Sequence, residues 1–297
     1  MTATAPVLVA LHAHPDDEAI FTGGTIVRAV EAGWRVVLVV ATDGDQGAGP
    51  DCGRTPLGAR RRDETMAAAA VLGVARVVFL GHGDSGYGVP DGGRSGTATA
   101  RSLQSGTLAA AHVDGVAAVV RRLMGDEGAT ALTSYDDNGI YGHVDHVQVH
   151  EIAARSVEGT ECELYEATLD RRVLRVLRTG MVARGLLPDL WPPSLTARLG
   201  VEHGPAMVAV DVTPQLDRKL LAVAAHSSQV VEASSFMGLP AGVFHHLLRT
   251  EWFRVARRGR GRFLGMLEAT DGLAPAPPES ATVPAPGQGA ARPVLTG

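Results

Sequence analysis

Cysteine is scarce in this chain of 297 residues. Its two thiols, Cys52 and Cys162, form no spaced pair. That excludes a disulfide framework and fits a reducing compartment. Basic excess is also missing: the formal net charge is −5, so there is no electrostatic footprint for nucleic acid. No apolar run is long enough to span a bilayer. The amino terminus lacks a positively charged segment followed by an apolar one, so a secretory signal is not expected. A cytoplasmic protein is the expectation. No G-x-G-x-x-G or P-loop follows the first apolar run, which argues against a nucleotide-binding module. No internal repeat is present.

What the chain does have is ordinary globular composition, with 45% hydrophobic and 20% charged residues. Short apolar runs alternate with helical patterns over the first 168 residues. Strands are expected at Val7 to Leu11, Arg35 to Ala41, Arg76 to Leu80, Ala131 to Ser134 and Glu163 to Thr168. Helices are expected at Ile20 to Ala32, Leu57 to Leu72, Leu108 to Met124 and His143 to Val157. This alternation predicts an α/β fold: a Rossmann-like, doubly wound, mostly parallel sheet flanked by helices. Residues 1–170 would form that core. Residues 171–272 would complete the same catalytic domain as a smaller C-terminal region. Within it lie a basic helix from Arg171 to Arg178, a Pro-rich turn near Trp191, a strand at Ala206 to Val212, a helix at Pro214 to Ala225 and a last strand at Glu251 to Arg257. Residues 273–297 are Ala, Pro and Gly with few large apolar side chains, the composition of a disordered tail.

Two clusters carry the chemistry. The stretch LVALHAHPDDE begins as a buried strand and ends in His12, His14, Asp16, Asp17 and Glu18. Open α/β sheets place ligand sites in such loops, at the carboxyl ends of their strands. The second cluster, Tyr141, His143, Asp145 and His146, follows the fourth strand. Both should surface on one edge of the sheet. His143 and His146 are three apart at a helix start and so face the same way. Two histidines and one carboxylate make a workable three-ligand zinc set with the fourth position left for water. Adjacent Asp16 and Asp17 cannot both enter one coordination shell without strain. One can bind metal while the other serves as general base. Taken singly, HPDD could be a helix cap and His-x-x-His surface decoration; together, at matching strand ends, they favour a metal site. His12, on the strand, suits a supporting or packing role. Loop capping suits Tyr135, Asp136 and Asp137. His226 divides evenly between pocket and structure, and His245-His246 reads as a surface pair.

The pair AHPDDE and YDDNGIYGHVDH resembles the signature of the zinc-dependent LmbE-like, or PIG-L, de-N-acetylase family. Further segments extend the likeness: RRDET with Arg61 and Glu64, GHGDSGY with Asp84 and Ser85, and Lys219 followed by AAHSSQ. The resemblance covers residues 6 to 230. It implies one Zn2+ held by His14, Asp17 and His146, with Asp16 as general base. It further implies His143 as general acid or oxyanion donor, oriented and kept cationic by Asp145. Tyr141 would donate to the oxyanion, and Arg61 and Asp84 would hold substrate. The implied reaction removes an N-acetyl group from an N-acetylglucosamine-type small molecule. An amidase of a mycothiol-type conjugate and a tailoring deacetylase of an antibiotic glycoside share that chemistry. The expected partner is thus an N-acylated amino sugar, with no nucleic acid and no membrane; assembly into a homo-oligomer stays open. A signalling receiver also places an acidic pair after strand one, but it needs no second, histidine-rich cluster.

Overall fold

A computed structural model describes residues 5–47, 56–86, 104–183, 185, 197–229, 246–259 and 261–268. Cys52, the Trp191 turn, His245, the tail at 273–297 and the stretches 48–55 and 87–103 lie outside the described residues.

Five strands run parallel at one side of a seven-stranded sheet: β1 (Val7–His12), β2 (Arg35–Thr42), β3 (Arg76–His82), β4 (Ala131–Tyr135) and β5 (Glu163–Thr168). Two later strands, β6 (Met207–Asp211) and β7 (Thr250–Arg257), extend it. The order is β3-β2-β1-β4-β5-β7-β6, with β7 antiparallel to both neighbours. The predicted architecture is therefore the observed one. β1 and β4 are buried along their whole length, and β2 at every position but its first. Strands covered on both faces read as continuous apolar runs, which is why they were legible in sequence. Each fully buried Val or Leu contributes roughly 1.5–3 kcal/mol.

The connection out of β1 goes to β2 on one side, while β4 pairs with β1 on the other. Chain direction across the sheet reverses there, and the crevice outside the carboxyl ends of β1 and β4 is where such sheets bind ligands.

Several helices differ from expectation. The single helix expected at Ile20 to Ala32 is two: α1 (Asp17–Phe21) and α2 (Gly23–Glu31). Thr22 breaks the run at φ −136°, ψ 5°, with its hydroxyl shared between His12 Nε2 at 2.9 Å and the Glu18 carbonyl at 3.2 Å. Gly24 then lets α2 approach the residue that follows β6: a Cβ there would lie 2.3 Å from Val212 Cβ. α3 (Leu57–Leu72) matches expectation and ends on Gly73 at φ +83°. α4 (Val113–Glu127) starts five residues late, because Leu108 to Ala111 forms a turn tied to Gly83. A short turn, α5 (Gly139–Gly142), precedes α6 (Val144–Val157).

The C-terminal elements are α7 (Arg171–Ala183), α8 (Leu216–Ala225) and α9 (Arg262–Glu268). α7 runs a turn beyond the expected basic helix and buries Leu174 and Met181 in a second apolar cluster with Leu199, Leu247, Leu248 and Trp252. α8 and β7 are locked to the core by a buried pair, Lys219 Nζ to Glu251 Oε1 at 2.6 Å. Glu251 also accepts the Gly24 and Thr25 backbone N–H groups at 2.8 Å each, satisfying buried donors that have no partner within the first turn of α2.

Candidate metal centre

Each half of the site is built by a strand that ends and a helix that begins. β1 delivers His12 into the core, and the next residues turn sharply. Asp16 occupies φ 101°, ψ −29°, a conformation that costs a non-glycine residue about 1–3 kcal/mol and persists only where the surroundings impose it. The second half follows β4. Gly139 at φ +61° lets the turn press on α6, since a Cβ there would lie 2.6 Å from His146 Cβ. His143 caps α6, its Nδ1 accepting the Asp145 backbone N–H at 3.1 Å. Asp145 and His146 occupy the first turn, both fully buried.

The two halves meet. His14 Nδ1 lies 3.2 Å from His146 Nε2 and 3.4 Å from Asp17 Oδ2, and His146 Nε2 lies 3.3 Å from Asp17 Oδ2. Four-coordinate zinc with bonds of about 2.0–2.1 Å puts neighbouring ligand atoms about 3.3–3.4 Å apart. Two imidazole nitrogens and a carboxylate oxygen, already at that spacing, could hold a metal ion. Local charge points the same way. Burial opposes a proton on His14, yet Asp84, Asp145 and Asp17 outweigh it and hold the ring well above the usual imidazole range. The centre is an anionic nest built for a cation. His14 Nε2 faces Asp145 Oδ2 at 3.2 Å, and such a partner leaves Nδ1 free to ligate.

Around this triangle the predicted residues take up definite posts. Burial pushes Asp16 up to about 7; Arg61 and His226 oppose that, while Asp17 and Glu18 add to it. Tyr141 O–H stands 3.3 Å from His146 Nε2, at the rim of the triangle. Asp84 Oδ1 stands 3.5 Å from His14 Nε2 and accepts the Gly86 N–H at 2.8 Å.

Three expectations change. Asp145 was expected to orient His143 through its carboxylate and keep it cationic. Its carboxylate instead accepts the Ser85 N–H (2.9 Å) and hydroxyl (2.5 Å) and faces His14, and it reaches His143 through its backbone N–H. Burial, aided by His14 and His146, pushes His143 down to about 3; the Asp145 and Asp84 charges raise it, as expected of Asp145, but are outweighed. A neutral ring that accepts at Nδ1 carries its proton on Nε2, so it is a hydrogen-bond donor rather than a cation. Arg61, expected to hold substrate, is buried beside the turn that carries Asp16. It donates to the Pro15 carbonyl (2.5 Å), the Gly44 carbonyl (2.8 Å) and Asp16 Oδ2 (3.1 Å). Tyr135, expected only to cap a loop, donates to Asp17 Oδ2 at 2.7 Å and stacks on His146 with ring centroids 4.1 Å apart. Nothing local in the sequence marks that role, because Tyr135 and Asp17 are 118 residues apart. Asp136 does cap its loop, accepting from Asn138 and Ile140 N–H.

An open α/β sheet with two histidines and a carboxylate converging at its switch point defines the class of metal-dependent hydrolases. Residues 9–157 match the family described as PIG-L, GlcNAc-PI de-N-acetylase. A 1D-myo-inositol 2-acetamido-2-deoxy-alpha-D-glucopyranoside deacetylase of Rhodococcus erythropolis is 34% identical over 282 residues, 86% of this chain and 92% of that protein. One of the same name from Acidothermus cellulolyticus is 31% identical over 271 residues, 84% and 88% of the two chains. Among solved structures, the N,N'-diacetylchitobiose deacetylase of Pyrococcus horikoshii superposes with a TM-score of 0.54 at 20% identity, covering 86% of this chain and 85% of that one. The chain belongs to the PIG-L de-N-acetylase family. Among the described residues, no helix is long and apolar enough to cross a membrane.

Proposed function

We propose that this protein is a zinc-dependent hydrolase that removes the N-acetyl group from a small N-acetylglucosamine-containing molecule, with an inositol-linked amino sugar as the first candidate. The observation that carries the reading is the triangle of His14 Nδ1, Asp17 Oδ2 and His146 Nε2, with sides of 3.2 to 3.4 Å. The names of the two 1D-myo-inositol relatives favour that substrate.

His14, Asp17 and His146 would hold the zinc, which when bound supplies a water of pKa near 7 and a Lewis acid for the amide carbonyl. Asp16 adjoins the ligand Asp17 and takes the proton of the attacking water. Its pKa near 7 suits a base working at neutral pH. Neutral His143 donates from Nε2, and Tyr141 from its hydroxyl, toward the oxyanion that forms as water adds. Donors placed before the charge develops need no reorganisation when it appears. Protonated Asp16 then stands ready to return its proton to the departing amine, leaving acetate and a free amino sugar. Asp84 is a fixed anion beside His14, held well below the usual carboxylate range: burial opposes its charge, but His14, His143 and the Gly86 N–H outweigh it.

The test is a panel of N-acylated glucosaminides, inositol-linked, chitobiose-type and antibiotic-linked, incubated with zinc-loaded protein and assayed for free amine. Amine release from the inositol-linked member above the others supports the proposal. Release from none of them contradicts it.

A further inference from the structure

His226 takes no part in the steps above, yet it is 1% exposed and sits against the catalytic turn. It closes the carboxyl end of α8, and its Nε2 lies 2.6 Å from Glu18 Oε1. The second Glu18 oxygen, Oε2, accepts the backbone N–H of Asp16 at 3.0 Å. Glu18 itself is fully buried. One carboxylate therefore joins a distant histidine to the peptide of Asp16, the residue that stands at φ 101°.

The turn bearing His226 is itself anchored. Glu64 on α3 accepts the Ser228 N–H (3.0 Å), the Ser228 hydroxyl (2.7 Å) and the Ser227 hydroxyl (3.0 Å). Arg61, one helical turn before Glu64, grips the same catalytic turn from the other side through the Pro15 carbonyl and Asp16 Oδ2. Residues three apart lie on one face of a helix. α3 thus sets both ends of a clamp: Arg61 acts on Asp16 directly, and Glu64 fixes the turn that carries His226. Arg61 and Glu64 of α3 thus connect the Asp16 turn with the segment that follows α8.

We propose that His226 is a positioning residue for the hydrolysis, acting through Glu18 to hold the Asp16 peptide in its left-handed conformation and so aim the Asp16 carboxylate. The proposal rests on Asp16 being the base. Burial opposes a charge on His226, but Glu18 and then Asp16 outweigh it, so its Nε2–H is a strong donor to Glu18. A base displaced by a fraction of an ångström loses turnover while substrate binding persists.

His226→Met removes the donor at similar volume. The expected result is a fall in kcat of about tenfold or more, with KM and bound zinc within about twofold of wild type. His226→Gln restores an N–H donor near Glu18 and should bring kcat back to within about threefold of wild type. Unchanged kcat in His226→Met overturns the proposal. So does an equal loss in both variants, because the ring's bulk would then matter rather than its N–H. If the Met variant fails to fold, Glu18→Gln decides. It gives up one of the two acceptors, so kcat should fall at constant KM, and unchanged kcat overturns the proposal. Asp16→Asn, assayed beside them, separates the two ideas. Retained turnover in that variant would remove Asp16 as the base. Loss there with full activity in His226→Met would remove only the role of His226.

Discussion

Tyr135 donates its phenol proton to Asp17 Oδ2 at 2.7 Å, from a position on β4 that is completely buried. The same hydroxyl accepts the Ala13 N–H at 2.9 Å and meets His12 Nδ1 at 3.1 Å, and the ring stacks on His146. One side chain therefore orients two of the three proposed ligands and the start of the turn that follows β1. Tyr135→Phe keeps the stacking and removes the hydrogen bonds. Partners of this kind govern metal affinity by about 10–100-fold. Zinc affinity measured against a competing chelator should drop by that order, and an unchanged value would show that Asp17 needs no support.

Asp16→Asn separates base from ligand. The amide keeps the shape and cannot take a proton. Turnover should fall by about 10²–10⁴-fold, the usual contribution of a positioned general base, while zinc content stays near wild type. Zinc analysis beside single-turnover kinetics checks both halves. Loss of metal would mean that this division of roles between Asp16 and Asp17 is wrong.

The Lys219–Glu251 pair should be a structural weak point. Both side chains are buried, and Glu251 also receives two backbone donors from α2. Removing one partner from a buried ion pair costs about 3–5 kcal/mol, because the other charge is stranded. Glu251→Gln should therefore lower the melting temperature clearly, with zinc stoichiometry unchanged in protein that remains folded. A melting temperature equal to wild type would show that the pair adds nothing.

His150 gives a pH signature. Burial opposes its charge, but the hydrogen bond and charge of Glu166, 3.2 Å away, raise its pKa above the ordinary value. The folded state then binds the proton more tightly than the unfolded one. The stabilisation is complete below about pH 6.5, the unfolded value, and fades as pH rises through the raised folded value. Thermal melts of wild type and His150→Gln should differ most below pH 6.5 and converge in alkali. A gap that widens with pH would reverse the sign of the coupling.

Much of this was readable from residue order, for a physical reason. Strands buried on both faces, such as β1 and β2, write their position as apolar runs. His14 and Asp17 sit just past the end of β1, and His143 and His146 sit at the start of α6, where local spacing reports on geometry. What stayed hidden depends on contacts between distant segments. Tyr135 meets Asp17 across 118 residues, and His226 meets Glu18 across 208. No periodicity encodes either pair. The resemblance assigns the Asp145 carboxylate to His143, whereas folding brings His14 and Ser85 to it. The substrate role of Arg61 likewise comes from the resemblance alone: only the fold shows the guanidinium bound to the Asp16 carboxylate.

The central claim is that one cation joins the ends of β1 and β4. Anomalous diffraction at the zinc edge, from crystals grown with zinc at one equivalent per chain, tests it most directly. The expected result is a single peak about 2.0–2.2 Å from His14 Nδ1, Asp17 Oδ2 and His146 Nε2. A peak bound elsewhere, or none in zinc-loaded active protein, would contradict the account.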